Sequence, residues 1–108
     1  MDMDEMIKAC EEKRREDETI AFAIGAGRIA PKLGMKKAQM AAMDFINGLD
    51  GYLGVHPVSL WRTLLIFDTL NHAKAGLNQM KAKGIGVGQI APILIPTIYA
   101  KGETANEE

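Results

Sequence analysis

The sequence predicts an all-α protein, a small bundle of three main helices with Gly/Pro-rich apolar connections and a proline-broken C-terminal arm. Apolar residues recur at intervals of three and four along three long stretches, which is the spacing of one helix face. The chain has 108 residues, 47% of them hydrophobic, enough for one domain with its own core. We therefore expect a single helical domain over residues 1–102 and a disordered acidic tail over residues 103–108.

The first predicted helix covers residues 3–18. Met3, Ile7 and Cys10 follow one another at helical spacing, and the charged residues around them are good helix formers. Residues 20–31, which come next, are apolar and contain two glycines. Periodicity alone leaves both a helix and a strand open for this segment.

The second predicted helix covers residues 36–53. Its apolar positions, among them Ala42, Phe45 and Leu49, step by three and four along one face. Glycines weaken the end of this stretch, and the residue before Pro57 avoids the helical region of backbone space. The second helix is therefore expected to end before that proline.

The third predicted helix covers residues 57–83 and is the most strongly patterned part of the chain. A proline suits its first turn, and steps of four and three continue through Ile66 and Leu70. Trp61 and Phe67 lie in its broad apolar surface, so we expect both in the core. Lysines and a glycine at its end are typical of a helix C-terminus.

Residues 92–99 form an apolar stretch that Pro92 and Pro96 interrupt. Two prolines exclude an ordinary central strand and a long straight helix. The segment predicts either a short buried helix or an extended arm, and we expect an arm that docks on a neighbouring surface.

An eight-residue sequence occurs twice, at residues 24–31 and 85–92, with six identical positions. Each copy contains Gly-x-Gly-x-x-Ala, the outline of a dinucleotide-binding loop. A proline follows each alanine, where the helix of such a loop would already have begun, so the pattern favours close packing between helices or between chains. The residues predicted to make that packing or oligomer contact are Gly25, Gly27, Ala30, Pro31, Gly86, Gly88, Ala91 and Pro92.

Residues 53–64, with the sequence Leu-Gly-Val-His-Pro-Val-Ser-Leu-Trp-Arg-Thr-Leu, carry a second pattern. The segment resembles the turn and recognition helix of helix-turn-helix DNA-binding proteins. The resemblance implies a DNA-binding unit over residues 46–64, with His56, Ser59 and Arg62 facing the major groove. It departs from that family at Asp50, where a small buried residue is usual.

Charge is strongly segregated along the chain. Residues 1–18 hold eight acidic and four basic residues, whereas residues 19–102 hold nine basic and three acidic residues. An acidic helix and a basic body can attract a polyanion, the chain's own ends or a second copy. The formal net charge of the whole chain is −1.

Few residues suggest catalysis or metal binding. Asp68 and His72 have a spacing that can bind a metal, but no third ligand lies nearby in sequence, and a hydrogen-bonded or solvated pair is the favoured interpretation. No nucleophile with a base and no pair of catalytic carboxylates is evident. We expect no enzyme activity, no cofactor and no metal.

The sequence favours a non-catalytic, self-associating protein that acts in assembly or protein–protein interaction, with itself or another protein as partner. The alternative is the helix-turn-helix DNA-binding regulator. Cys10 is the single cysteine, the N-terminus is acidic where a secretory signal is basic, and no apolar run is long enough to cross a bilayer. These observations predict a cytoplasmic protein without a membrane span.

Overall fold

Four antiparallel β-strands form a sheet, and three helices cover one of its faces. The structure is a computed structural model that describes residues 2–27, 37–59 and 61–100. The prediction of an all-α bundle is therefore wrong: the fold is mixed α/β. Along the chain the elements are α1 (Met3–Lys13), β1 (Glu18–Ala26), α2 (Lys37–Asn47), β2 (Tyr52–Pro57), β3 (Thr63–Phe67), α3 (Leu70–Ala82), β4 (Val87–Pro96) and the short α4 (Thr97–Ala100).

The spatial order of the strands is β2-β3-β1-β4. β1 lies in the centre and pairs with β3 and β4, while β2 pairs with β3 at one edge. After α1, the order β-α-β-β-α-β with these neighbours is the split β-α-β, or ferredoxin-like, arrangement. This topology hosts many unrelated functions, so it assigns none to the chain.

The central strand β1 covers most of the apolar part of residues 20–31, the segment for which the sequence allowed either a helix or a strand. Phe22 and Ile24 belong to the core cluster beneath the helices, whereas Ala21 belongs to a smaller cluster on the opposite face. This alternation is the two-residue period of a strand. Because both faces of β1 are covered by side chains, its sequence is apolar almost throughout, which hides the alternation.

The predicted third helix is wrong over its first half. Residues 63–67 form β3, and only Leu70–Ala82 is helical. Thr69 caps α3 by accepting a hydrogen bond from the His72 backbone N–H at 3.1 Å. The continuous apolar run of β3 belongs to a strand buried on both faces, and periodicity does not separate such a run from a buried helix.

The other predicted elements are shortened or reassigned. α1 ends at Lys13, five residues before the predicted end at residue 18, and a reciprocal capping box between Asp2 and Glu5 begins it. α2 ends at Asn47, since the residues that follow turn toward β2 through Gly51 at φ +77°.

The predicted arm at residues 92–99 is the second half of β4 followed by α4. Its prolines are compatible with a strand because β4 is at the edge of the sheet. Residues 103–108, the predicted tail, lie outside the described residues.

The main core lies between the helices and one face of the sheet. Fully buried Phe67, Ile46 and Met80 are among its largest members. α3 approaches β3 closely at Gly76, where an added Cβ would lie 2.9 Å from the Phe67 ring. A glycine inside a helix is unfavourable by about 1 kcal/mol relative to alanine, and this close contact explains its presence.

Candidate functional site on the open face of the sheet

The second face of the sheet is the candidate functional surface, and we call it the open face. Its side chains come from alternate positions of three strands, namely Ala21, Ala23, Leu64, Ile66, Ile93 and Ile95. In the described part of the chain, α4 is the helix whose side chains, Tyr99 and Ala100, pack on this cluster. The opposite face is covered by α1, α2 and α3. On the open face Ala21, Ala23, Ile66 and Ile95 are buried, whereas Leu64 and Ile93 stay partly exposed.

A cavity of about 440 Å³ lies on the open face beside α4. Leu64, Ile66, Ile93 and Ile95 contribute to its apolar walls, and His56 and Tyr99 are the titratable residues that line it. Leu64 also lines a neighbouring cavity of about 660 Å³ that extends to Arg62, Gly25 and Gly88. The open face is thus an apolar surface with polar groups at its margins.

Tyr99 fixes α4 against the sheet. Its hydroxyl lies directly over Gly54, at the place a Cβ would occupy, and Gly54 itself has φ +145°. Burial raises the pKa of the Tyr52 phenol to about 12, with a smaller contribution from Tyr99. Burial also raises the pKa of Tyr99.

The loop between β2 and β3 carries an exposed tryptophan. Trp61 is 71% exposed and Val58 is 54% exposed, although Trp61 was predicted in the core. The loop is held by backbone N–H groups of Val58 and Ser59, which both donate to the Arg62 carbonyl oxygen at 3.0 and 3.1 Å. The Trp61 N–H donates to Ser59 Oγ at 3.2 Å. These hydrogen bonds join the described residues of the loop, and Trp61 presents a large aromatic side chain to solvent next to Arg62.

The two glycine-containing segments lie side by side within one molecule. Ile24 pairs with Ile90 and Ala26 with Val87, with a bulge between them. A Cβ added to Gly88 would lie 3.3 Å from the Gly25 carbonyl oxygen, so glycine allows close approach of the two strands there. The repeat thus includes an intramolecular contact, and its role in an oligomer stays a prediction.

The other residues predicted to make packing or oligomer contacts lie in different parts of the fold. Gly27 and Gly86 line a cavity of about 630 Å³ in the helical layer, and an added Cβ on either meets no atom within 4 Å. Ala91 and Pro92 lie within β4. Ala30 and Pro31 fall outside the described residues. Because Gly27 and Ala38 of that cavity flank the undescribed residues 28–36, we assign it no ligand.

The helix-turn-helix interpretation loses its structural basis. His56 lies in β2, Ser59 follows β2 and Arg62 is the residue before β3. These two strands pair antiparallel where the resemblance implied a recognition helix. The three side chains do lie near one another in sequence and space, but no helix presents them. Pro57, expected at a helix start, is the last residue of β2.

Asp68 and His72 form the hydrogen-bonded pair that their spacing favoured. Asp68 Oδ1 and His72 Nδ1 are 2.7 Å apart, and both side chains are partly exposed. Residues 2–27, 37–59 and 61–100 contain no group of three or more potential metal ligands. Cys10 is a partly buried free thiol on α1.

Comparisons with protein-family models, with curated proteins and with solved structures find no match. Within the described segments, no helix has the length and apolar character needed to cross a membrane. The functional interpretation therefore depends on the surfaces of this chain alone.

Sequence reasoning missed the open face, Tyr99 and the exposure of Trp61. Once residues 63–67 are taken as a strand, alternation would place Leu64 and Ile66 on one face and Leu65 and Phe67 on the other. This alternation is the sequence signal that could have revealed the open face. The apolar stripe that seemed to bury Trp61 existed only under the helical interpretation.

Proposed function

We propose that this protein is a non-catalytic, self-associating protein of the cytoplasm and that copies meet through the open face of the sheet. The observation that carries the proposal is the contrast between the two sheet faces. Three helices cover one face. On the other, the described residues place the short α4, with Met6 of α1 beside a cavity at the margin, and Leu64, Ala91 and Ile93 stay partly exposed. An incompletely covered apolar face typically marks an interaction surface.

The edges of the sheet are poor alternatives for self-association, because prolines interrupt them. The Thr97 N–H, just after β4, donates to the Asp17 carbonyl oxygen at 2.8 Å. Since N–H groups alternate in direction along a strand, the odd-numbered residues near this end of β4 point theirs toward β1. Pro92 and Pro96 therefore occupy positions whose N–H groups would otherwise point outward, and an added strand would find no donor there.

The other edge is short as well as interrupted. β2 has six residues, ends at Pro57 and contains a register shift between Tyr52 and Gly54. Bulges, short length and proline are features that discourage pairing between sheet edges. We therefore place the contact on the open face, where Leu64, Ala91 and Ile93 are partly exposed.

The direct test places a charge on the open face without disturbing the core. Ala91 is partly exposed and pairs with Ala23 of β1, whereas Ala75 is exposed on the outer side of α3. We expect Ala91→Arg to lower the mass measured by light scattering to that of one chain. Ala75→Arg is the matched control and should keep the mass of the wild type.

Circular dichroism and thermal unfolding of both variants separate loss of association from loss of fold. If folded Ala91→Arg kept the wild-type mass, the open face would not be the contact surface. The same measurement with DNA added addresses the second predicted partner, since DNA binding by the basic body stays a prediction.

A further inference from the structure

The cavity of about 440 Å³ beside α4 is formed by three strands and one helix of a single chain. Its described lining residues are Val55 and His56 of β2, Leu64 and Ile66 of β3, Ile93, Leu94, Ile95 and Pro96 of β4, and Tyr99 of α4. Small-molecule sites are usually cavities of about 300–1,000 Å³. The volume of this cavity is therefore suited to a small ligand.

The walls of this cavity are mainly apolar. Apart from His56 and Tyr99, its described lining residues are aliphatic, and none of them is an acid, a lysine or an arginine. A charged ligand would lose hydration on entry without meeting an opposite charge, which is strongly unfavourable. Burial of a neutral molecule is favourable in proportion to its apolar area. The walls therefore favour a neutral, mostly apolar ligand.

The Tyr99 side chain brings an unused hydrogen-bond donor to this cavity. Within the described residues its hydroxyl makes no hydrogen bond, although the side chain is partly buried. The hydroxyl oxygen stays accessible, because no fully buried side-chain oxygen or nitrogen of the described residues lacks a partner. Burial raises the pKa of Tyr99, so the hydroxyl keeps its proton at neutral pH and can donate to a ligand oxygen.

We infer that this cavity binds a small, neutral, mostly apolar molecule with one oxygen that accepts a hydrogen bond from Tyr99, such as a phenol or an alcohol. The aliphatic walls bury the carbon skeleton of the ligand, and the hydroxyl fixes the position of its oxygen. This inference goes beyond the proposed function, because the described lining residues belong to one chain and the site needs no second copy.

The test is a calorimetric titration of the full-length protein with thymol, a neutral alkylphenol, at neutral pH. We expect saturable binding of one molecule per chain. Cumate has a similar skeleton with a carboxylate and should bind about tenfold more weakly or worse, because the described walls offer no lysine or arginine. Absence of saturable thymol binding, or equal affinity for the two compounds, would overturn the inference.

A cavity-filling variant tests the location of the site. Ile93→Trp fills the cavity from β4 and should abolish saturable binding of thymol. Gln89→Trp places the same side chain on the same strand at an exposed position outside this cavity, and should bind thymol like the wild type. Circular dichroism checks the fold, and Leu64→Trp fills the cavity from β3 should Ile93→Trp not fold. Wild-type affinity in a folded filling variant would overturn the location.

Tyr99→Phe tests the hydrogen bond while keeping the ring on the sheet. We expect its affinity for thymol to fall about three- to tenfold, which is the usual effect of one lost hydrogen bond. p-Cymene is thymol without the oxygen and should bind the wild type and Tyr99→Phe equally. Unchanged affinity for thymol, or an equal loss for both compounds, would overturn the role of the hydroxyl.

This inference and the proposed function fail separately, because binding is measured by heat and self-association by mass. A protein that binds thymol in this cavity and has the mass of one chain would support the ligand site and contradict self-association. A dimer that binds no thymol would support self-association and overturn the ligand site.

Discussion

Gly54 is the single residue on which the placement of α4 depends most. Its φ of +145° is one that side-chain-bearing residues rarely adopt, and the Tyr99 hydroxyl occupies the space beside it. Backbone strain and steric conflict therefore act together at this position.

We predict that Gly54→Ala lowers the free energy of unfolding by about 1–3 kcal/mol, measured by urea denaturation. Gly48→Ala is the control, because an added Cβ there meets the Phe45 carbonyl oxygen at an ordinary 3.6 Å. Equal stability of the two variants would contradict the contact between Gly54 and Tyr99.

Tyr52 should make stability sensitive to alkaline pH. Burial, with a smaller contribution from Tyr99, raises its pKa from 10.0 to about 12. Between these pH values the unfolded chain loses the proton that the folded chain retains, so the free energy of unfolding falls as pH rises. The stabilisation due to the raised pKa of Tyr52 is fully present below pH 10 and is lost toward pH 12.

Unfolding measured below pH 10 and again near pH 12 should therefore show a smaller loss of stability for Tyr52→Phe than for the wild type. Phenylalanine keeps the ring that contacts Phe67 edge-to-face at a centroid distance of 5.6 Å. An identical pH dependence in both proteins would mean that Tyr52 ionises normally in the fold.

At the scale of whole elements, the edge strand β4 shows how proline limits association. Pro92 and Pro96 remove two outward N–H positions from a ten-residue strand that is otherwise suited to pairing. The double substitution Pro92→Val/Pro96→Val restores those donors and adds β-branched side chains.

We predict concentration-dependent aggregation of the double variant, observed as rising light scattering over time. Gln89→Val is the control, since it adds a β-branched residue to the same strand without adding an N–H group. Aggregation of both variants to the same extent would point to β propensity and not to the freed edge.

The elements also show what the sequence could predict. Helices are present where α1, α2 and the second half of the third helix were predicted, because each packs one apolar face on the core. In α1 that face is only partly buried, through Met3 and Ile7. For β1 a strand was left open beside a helix, whereas β3 was predicted as helix, because both strands are largely buried and their sequences are nearly continuous apolar runs. Gly25 and Gly88, two of the residues predicted to pack between helices or chains, approach each other between adjacent strands of one chain, and their role in an oligomer stays a prediction.

The candidate site could be predicted only in part, for the same reason. Arg62 and His56 were selected for a DNA-binding helix that does not exist, and they border the open face instead. Which face a side chain occupies depends on the strand assignment, so the grouping of Leu64, Ile93 and Tyr99 required the fold. When a strand is taken for a helix, every side chain along it is assigned to the wrong face.

At the scale of the whole molecule, the helices cover one face of the sheet and prolines interrupt its edges. The other face carries the partly exposed side chains of Leu64, Ala91 and Ile93. Each feature alone is common on protein surfaces. Together they are the basis of our proposal that a second copy packs on this face.

The most direct test of this account is the mass of the wild-type protein in solution, measured by sedimentation equilibrium over a wide range of concentrations. The account predicts a reversible transition to twice the chain mass of 11.8 kDa, with no larger species. A mass of 11.8 kDa at every concentration would contradict self-association through the open face.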